Sequence, residues 1–298
     1  MYAIEKVNRK DAQSLIISNR DASIRLVIHL NEGGRITLYQ HQGNTIISDL
    51  KNSSYSKNFA GAILFPFTNR IEGGIYKYNA KCYKLPCNET LNNNAIHGLV
   101  YNKTFKLISE VVEQDSASVE LQYVEVQGCE GFPFKYSVLL RYTVTKEGLK
   151  LKLSAKNTDQ TTFPFTLGWH PYFISSDLNQ SQIFFNAKEK FIINKRGIVT
   201  GREPFKDTAH IKLGQVELDD AFAVNPDMVE LTTPDYRFKI KSSLQDNHLQ
   251  IYTPPNSNGV ALEPMIGVSN SFNNNIGKME LEPNQNFEVE WELITSKL

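Results

Sequence analysis

The sequence predicts an all-β protein, a large antiparallel β-sandwich, and three observations carry that expectation. Apolar residues recur at every second position through several segments, the period of a strand with one buried face. No long segment sustains the i, i+3, i+4, i+7 spacing of an amphipathic helix. The chain carries 13 Tyr and 17 Phe, residue types that favour pleated, half-buried surfaces.

The strand signals follow in chain order. Val119, Leu121 and Tyr123 alternate with polar residues. Residues 136–144 and 149–155 do the same on either side of Lys146-Glu147-Gly148, which reads as a β-hairpin. Phe238 and Ile240 lie between Arg237, Lys239 and Lys241. Phe287, Val289, Trp291 and Leu293 close the series, separated by Glu288, Glu290 and Glu292. No linker or fixed-period repeat divides the 298 residues, so a single domain over 1–298 is expected.

Composition excludes several partners. Lys+Arg and Asp+Glu both count 32, so the chain lacks the basic footprint that nucleic acid or an anionic membrane surface requires. No apolar run approaches the ~20 residues of a membrane helix. The first residues show neither a basic nor an apolar leader segment, and a cytoplasmic location is expected. Cys82, Cys87 and Cys129 are an odd, sparse set, unlike a disulfide framework. No His or Cys pair stands near Cys82 and Cys87, and no nucleotide loop is visible, so neither metal nor cofactor is expected.

Four segments interrupt the strand pattern with chemistry-bearing residues. Asn69-Arg70 follows an apolar run and precedes Gly73-Gly74; a guanidinium fork suits vicinal hydroxyls or a carboxylate, and the alternative is a structural ion pair with Glu72 or another acid. His97 stands between Ile96 and Gly98, either as a ligand donor or as a satisfied core histidine. His170 lies among Trp169 and Tyr172. Those aromatics can stack on a sugar ring, and an imidazole trades protons near neutrality; a buried strand end would look the same. Glu263 follows Val260-Ala261-Leu262. An unpaired buried charge is expensive, so this carboxyl is paired, with Arg70 as one candidate partner, or protonated, or functional. Asp219-Asp220 before Ala221-Phe222 reads as a hydroxyl ligand or a turn.

In this order, Asn69-Arg70, Ile96-His97-Gly98, 168–173, Asp219-x-x-Phe222 and Leu262-Glu263-Pro264 resemble the aldose 1-epimerases, or sugar mutarotases, over nearly the whole chain. The resemblance implies a large antiparallel β-sandwich and a small-molecule sugar as partner. It implies Glu263 as general base and His170 as general acid. His97 would bind near the ring oxygen, and Arg70 and Asp219 would hold hydroxyls. Asp220 competes with Asp219, which is preferred because it stands three before Phe222. Asn69, Trp169 and Tyr172 join the substrate-binding set. The chain departs from galactose-type members in Gly168-Trp169 before His170, Pro171 after it, Leu99 after His97-Gly98, and Met265 where related bacterial members often carry Trp. These departures leave the sugar open.

Interconverting anomers needs one base, one acid and no hydride acceptor. Three other readings compete. A hexose 6-phosphate epimerase needs a cation cluster at the phosphate. A glycoside hydrolase needs two carboxylates flanking one bond, which Glu263 and Asp219 would supply. A non-catalytic sugar-binding domain needs no acid and base together.

Overall fold

The computed structural model describes residues 1–9, 12–51, 53–205 and 208–296. Its elements are almost all strands; the α-helices among the described residues are single turns, Tyr55–Asn58 and Ser271–Asn274. The predicted hairpin forms from Tyr136–Thr145 and Gly148–Asn157 in antiparallel register, Leu140 opposite Leu153. Ser116–Glu125 pairs with its outer side and Asn286–Ser296 with the other. Glu292 and Glu290 of that last strand lie opposite Lys150 and Lys152; Glu292 is 3.0 Å from Lys150, and Glu288 reaches Lys152 diagonally at 2.6 Å. Such cross-strand pairs reinforce register at an exposed face.

Two curved layers result. One runs through Lys106–Val112, Ser116–Glu125, the hairpin, Asn286–Ser296, Arg237–Ser242 and Asp227–Thr232. The other runs from Tyr2–Arg9 through the next four strands to Asn44–Ser48. It continues through Tyr172–Ile174, Gly259–Ile266, Asn247–Tyr252 and Asp219–Val224. The layers are not separate sheets, as a simple sandwich would have them. The strand Gln182–Ile193 pairs with Asp227–Thr232 and Thr208–Lys212 through its first half, and with Asp219–Val224 and Val199–Pro204 through its second. Ladders thus connect 21 strands into one folded antiparallel sheet.

The core fills the space between the layers. Leu26, Tyr39, Ile63, Phe173, Leu249 and Leu262 of one layer meet Leu140, Leu151, Phe238 and Trp291 of the other. A two-residue period sends the intervening side chains to the opposite face. On that outer face of the second layer lie three small apolar clusters. One joins Phe59, Ala62, Leu64, Ile96 and Met265, the second Leu50, Ala60, Tyr172 and Ala261, and the third Phe191, Val199, Ala221 and Val268. The candidate site lies on this face.

Candidate active site

Gly259–Ile266 is buried at every position, as the apolar run predicted. Val260, Leu262 and Ile266 enter the main core, while Ala261 and Met265 belong to the outer clusters. Glu263 shares the parity of Ala261 and Met265, so its carboxyl faces outward from the core. The neighbouring strand Leu167–His170 behaves alike. Leu167 and Trp169 point into the core, and His170 takes the other face. The His170 Nε2 and Glu263 Oε1 atoms stand 3.3 Å apart, with the two side chains only 5% and 3% exposed.

His97 reaches the same place from a different ladder. The strand Asn94–Ile96 pairs with Arg70–Glu72, setting Ile96 opposite Arg70. Asn69 and His97 both adopt left-handed backbone, φ 50° and 63°, and the His97 amide donates to the Asn69 carbonyl at 2.9 Å. Gly98 follows at φ 76°. A Cβ there would lie 2.3 Å from the Phe65 carbonyl oxygen, so the close approach that turns His97 inward admits only glycine. The His97 and His170 rings meet edge to face, centroids 5.0 Å apart. Phe59 packs on the other side of His97 at 4.7 Å, and Tyr172 lies beside His170 at 5.1 Å.

Three buried polar atoms in this cluster make no hydrogen bond: Glu263 Oε2, His170 Nδ1 and His97 Nδ1. Buried polar atoms are nearly always paired, so three orphans in one cluster call for an explanation. Burial sets the charge state. It pushes His170 down to about 4, and His97 well below the ordinary histidine range, helped by His170 and Arg70. It raises Glu263 well above the ordinary glutamate value; Asp219 adds to the shift and Arg70 opposes it. Burial thus disfavours the charged form of each member of the Glu263–His170 pair.

A second polar group lies alongside. Asn69 Nδ2 donates to Gln250 Oε1 at 3.3 Å, and Gln250 Nε2 donates to Asp219 Oδ1 at 2.8 Å. Arg70 donates to Asn69 Oδ1 at 3.2 Å. Gln250 stands opposite Glu263 in register, while Asp219, Tyr252, Ala261 and Tyr172 form the adjacent row. The arginine's carboxylate partner is Glu89, 3.0 Å from Nη2, rather than Glu263 or Glu72. Glu72 is taken by Arg196 at 2.7 Å. Asp219 keeps solvent contact at the rim; burial of its carboxyl, with Asp220 and Glu89, raises its pKa while Arg70 lowers it.

The structure thus brings together Glu263, His170, His97, Asn69, Arg70, Asp219 and Tyr172. Two expectations are corrected. Trp169 is 1% exposed on the core side of its strand, because the period of two that turns His170 outward turns its neighbour inward; it offers no stacking face. Asp219-Asp220 is the start of the strand Asp219–Val224 rather than a turn, and Asp220 is engaged by Lys190 at 2.9 Å, which leaves Asp219 to the site. Sequence reasoning missed Gln250 and Glu89. Gln250 interrupts the apolar pair Leu249 and Ile251 and was findable by the argument used for Glu263. Glu89 lies in an aperiodic segment, and no local signal marks it.

The aldose 1-epimerase family profile matches residues 16–293. The uncharacterized protein YihR of Escherichia coli is 26% identical over 234 residues, 74% of each chain. The galactose mutarotase-like protein of Clostridium acetobutylicum superposes with a TM-score of 0.87 over 100% of this chain and 99% of that one, at 21% identity. Galactose 1-epimerase from Lactobacillus acidophilus does so with a TM-score of 0.81 over 100% and 99%, at 19% identity; at such identities the likeness speaks for the fold. The chain, matched over nearly its whole length, belongs to the aldose 1-epimerase family.

Proposed function

We propose that this protein interconverts the α and β anomers of a neutral aldose by general acid–base ring opening and closure. The observation that carries the reading is the buried Glu263–His170 pair, 3.3 Å apart, with an unpartnered polar atom on each member. Glu263 takes the proton of the C1 hydroxyl as His170 protonates the ring oxygen. The bond between C1 and the ring oxygen breaks, giving the open-chain aldehyde. Rotation about C1–C2 presents the other carbonyl face, and closure returns both protons. A pair that shares one proton would suit this cycle. Its neutral form, Glu263 protonated and His170 free, and its charged form, carboxylate with imidazolium, contain the same number of protons. Transfer within the pair converts one to the other without solvent. General acid–base catalysis typically supplies about 10²–10⁴-fold, and fixing the ring against Asn69, Arg70 and Asp219 adds orientation.

The rival readings fare less well against the same residues. A phosphorylated sugar needs an uncommitted cation cluster, whereas Arg70 is held by Glu89. A hydrolase would pair Glu263 with Asp219, yet these stand two strands apart with Gln250 between them. Polarimetry of freshly dissolved α-glucose and α-galactose, with and without protein, tests the proposal. Acceleration of the optical change is expected. Spontaneous rates with both sugars at micromolar protein, or release of reducing sugar from an aryl glycoside, would sink it.

A further inference from the structure

We propose that Glu89 and Gly197, from two different loops, are positioning residues that set the Arg70 guanidinium to meet a sugar hydroxyl. This rests on the reading of Arg70 as a hydroxyl ligand of the acid–base site and adds the residues that hold it there. An arginine side chain is long and flexible, and an unrestrained one pays rotamer entropy on binding. Arg70 and Glu89 are each 17% exposed in their side chains, and the guanidinium is restrained from three directions. Nε donates to both Glu89 oxygens, at 3.0 and 3.1 Å, and Nη2 stands 3.0 Å from Glu89 Oε1. Nη1 donates to Asn69 Oδ1 at 3.2 Å. Gly197 closes one face. A Cβ there would lie 2.5, 2.6 and 2.7 Å from Nη1, Cζ and Nε. Nearly equal distances to three coplanar atoms put that point over the guanidinium plane. Gly197 also takes left-handed backbone, φ 74°, which favours glycine. A guanidinium carries five N–H donors, so a hydroxyl can take an Nη proton while Nε stays on Glu89.

Both holders are themselves anchored. Glu89 and Asn94 bridge through their backbone amides, at 3.0 and 3.1 Å. Asn94, 0% exposed, donates to Glu89 Oε2 at 2.7 Å and to the Arg196 carbonyl at 3.1 Å. Asn92 Nδ2 donates to Glu89 Oε1 at 3.3 Å. The Gly197 amide donates to the Asn194 carbonyl at 2.9 Å, closing a turn, and the Gly197 carbonyl accepts from Ser269 Oγ at 2.6 Å. Arg196 fastens that turn to the Glu89 loop. It donates to the Asn92 carbonyl at 2.8 Å, to Asn94 Oδ1 at 3.2 Å and to Glu72 Oε1 at 2.7 Å. Loop and turn thus form a collar around Arg70. The carboxylate of the collar has a second effect. Arg70 opposes the raised pKa of both Asp219 and Glu263, so a guanidinium released from Glu89 has other carboxylates to pair with. Charge-assisted bonds are roughly twice as strong as neutral ones, and Glu89 keeps that competition away from the substrate.

Glu89→Gln and Gly197→Ala test this, through KM and kcat for glucose and galactose by polarimetry and Kd for the same sugars by NMR titration. Each substitution should raise KM and Kd about tenfold, the loss of a hydrogen bond to a charged group, with kcat within about threefold. A purely structural role would lower the active fraction, and so the apparent kcat, without moving KM. Gly201→Ala, in the same hairpin, is the control. Its Cβ would meet the Ile192 side chain at an ordinary 3.5 Å, and KM should stay as in wild type. In an Arg70→Ala background both substitutions should change KM by less than about twofold, since each acts through the guanidinium. Should Gly197→Ala fold poorly, Glu89→Gln and its cycle with Arg70→Ala decide the matter. Unchanged KM and Kd in Glu89→Gln, or a tenfold effect that persists without Arg70, would overturn the proposal with the acid–base reading intact. Wild type that binds sugar without turning it over would remove the acid–base reading, and the Kd values would still decide the role of the collar. Failure to bind either sugar would remove both.

Discussion

Glu263→Gln tests the shared proton most directly. The substitution keeps side-chain size at a position 2% exposed but can no longer accept a proton from a sugar hydroxyl. Loss of the base should cut turnover at least about a hundredfold, about 2.7 kcal/mol in the barrier. The wild-type pH profile should be bell-shaped. As pH falls through about 4, where His170 takes up a proton, the pair gains a second proton and has no base. As pH rises through the raised Glu263 value, it loses its last proton and has no acid. The glutamine variant loses the alkaline limb set by Glu263. Stability should move the other way. A carboxyl whose pKa is raised on folding costs stability progressively as pH climbs above its unfolded value of about 4.3. Glutamine carries no such cost, so the variant should melt no lower than wild type at neutral pH. The assay is polarimetry across pH, paired with thermal melts of both proteins. A folded variant retaining more than about a tenth of the wild-type rate would refute the assignment of the base.

His170→Asn should match that loss in turnover, whereas His97→Asn should lower kcat by less than about tenfold and raise KM, as measured by the same progress curves. Trp169→Ala should cost about 3–5 kcal/mol in urea unfolding by emptying a core site, while Trp169→Phe should leave KM within about twofold; a KM effect from the phenylalanine would return Trp169 to the site. Acid should weaken the fold. Burial lowers His248 to about 4, so the unfolded chain binds more protons there and stability present above about pH 6.5 is lost as pH falls towards 4, up to about 3 kcal/mol for this residue. A urea midpoint unchanged over that window would contradict the burial of the histidine.

How much of the site was legible depended on whether each residue's neighbours were local. Glu263 declared itself because an acid within an apolar strand must be paired, protonated or used. Gln250 followed the same rule more quietly, since an amide costs less to bury than a charge. Glu89 could not be found, because its pairing with Arg70 joins residues 19 apart through a loop with no period. Trp169 neighbours His170 in sequence but does not share its side of the sheet. On a pleated strand, adjacent residues face opposite sides.

From its sequence alone this chain is committed to antiparallel strands, to the faces those strands bury and, through ordered motifs, to a family. Those properties are local, set by period and residue type. Only the tertiary structure decided that residues 97, 170 and 263 share one cluster, that Arg70 is spoken for by Glu89, and that Gln250 ties Asn69 to Asp219. Each of these is a contact across strands distant in the chain, and such contacts follow from ladder register and from the way Gln182–Ile193 passes between the layers. A one-residue shift in any of those registers would turn the same side chains into the core.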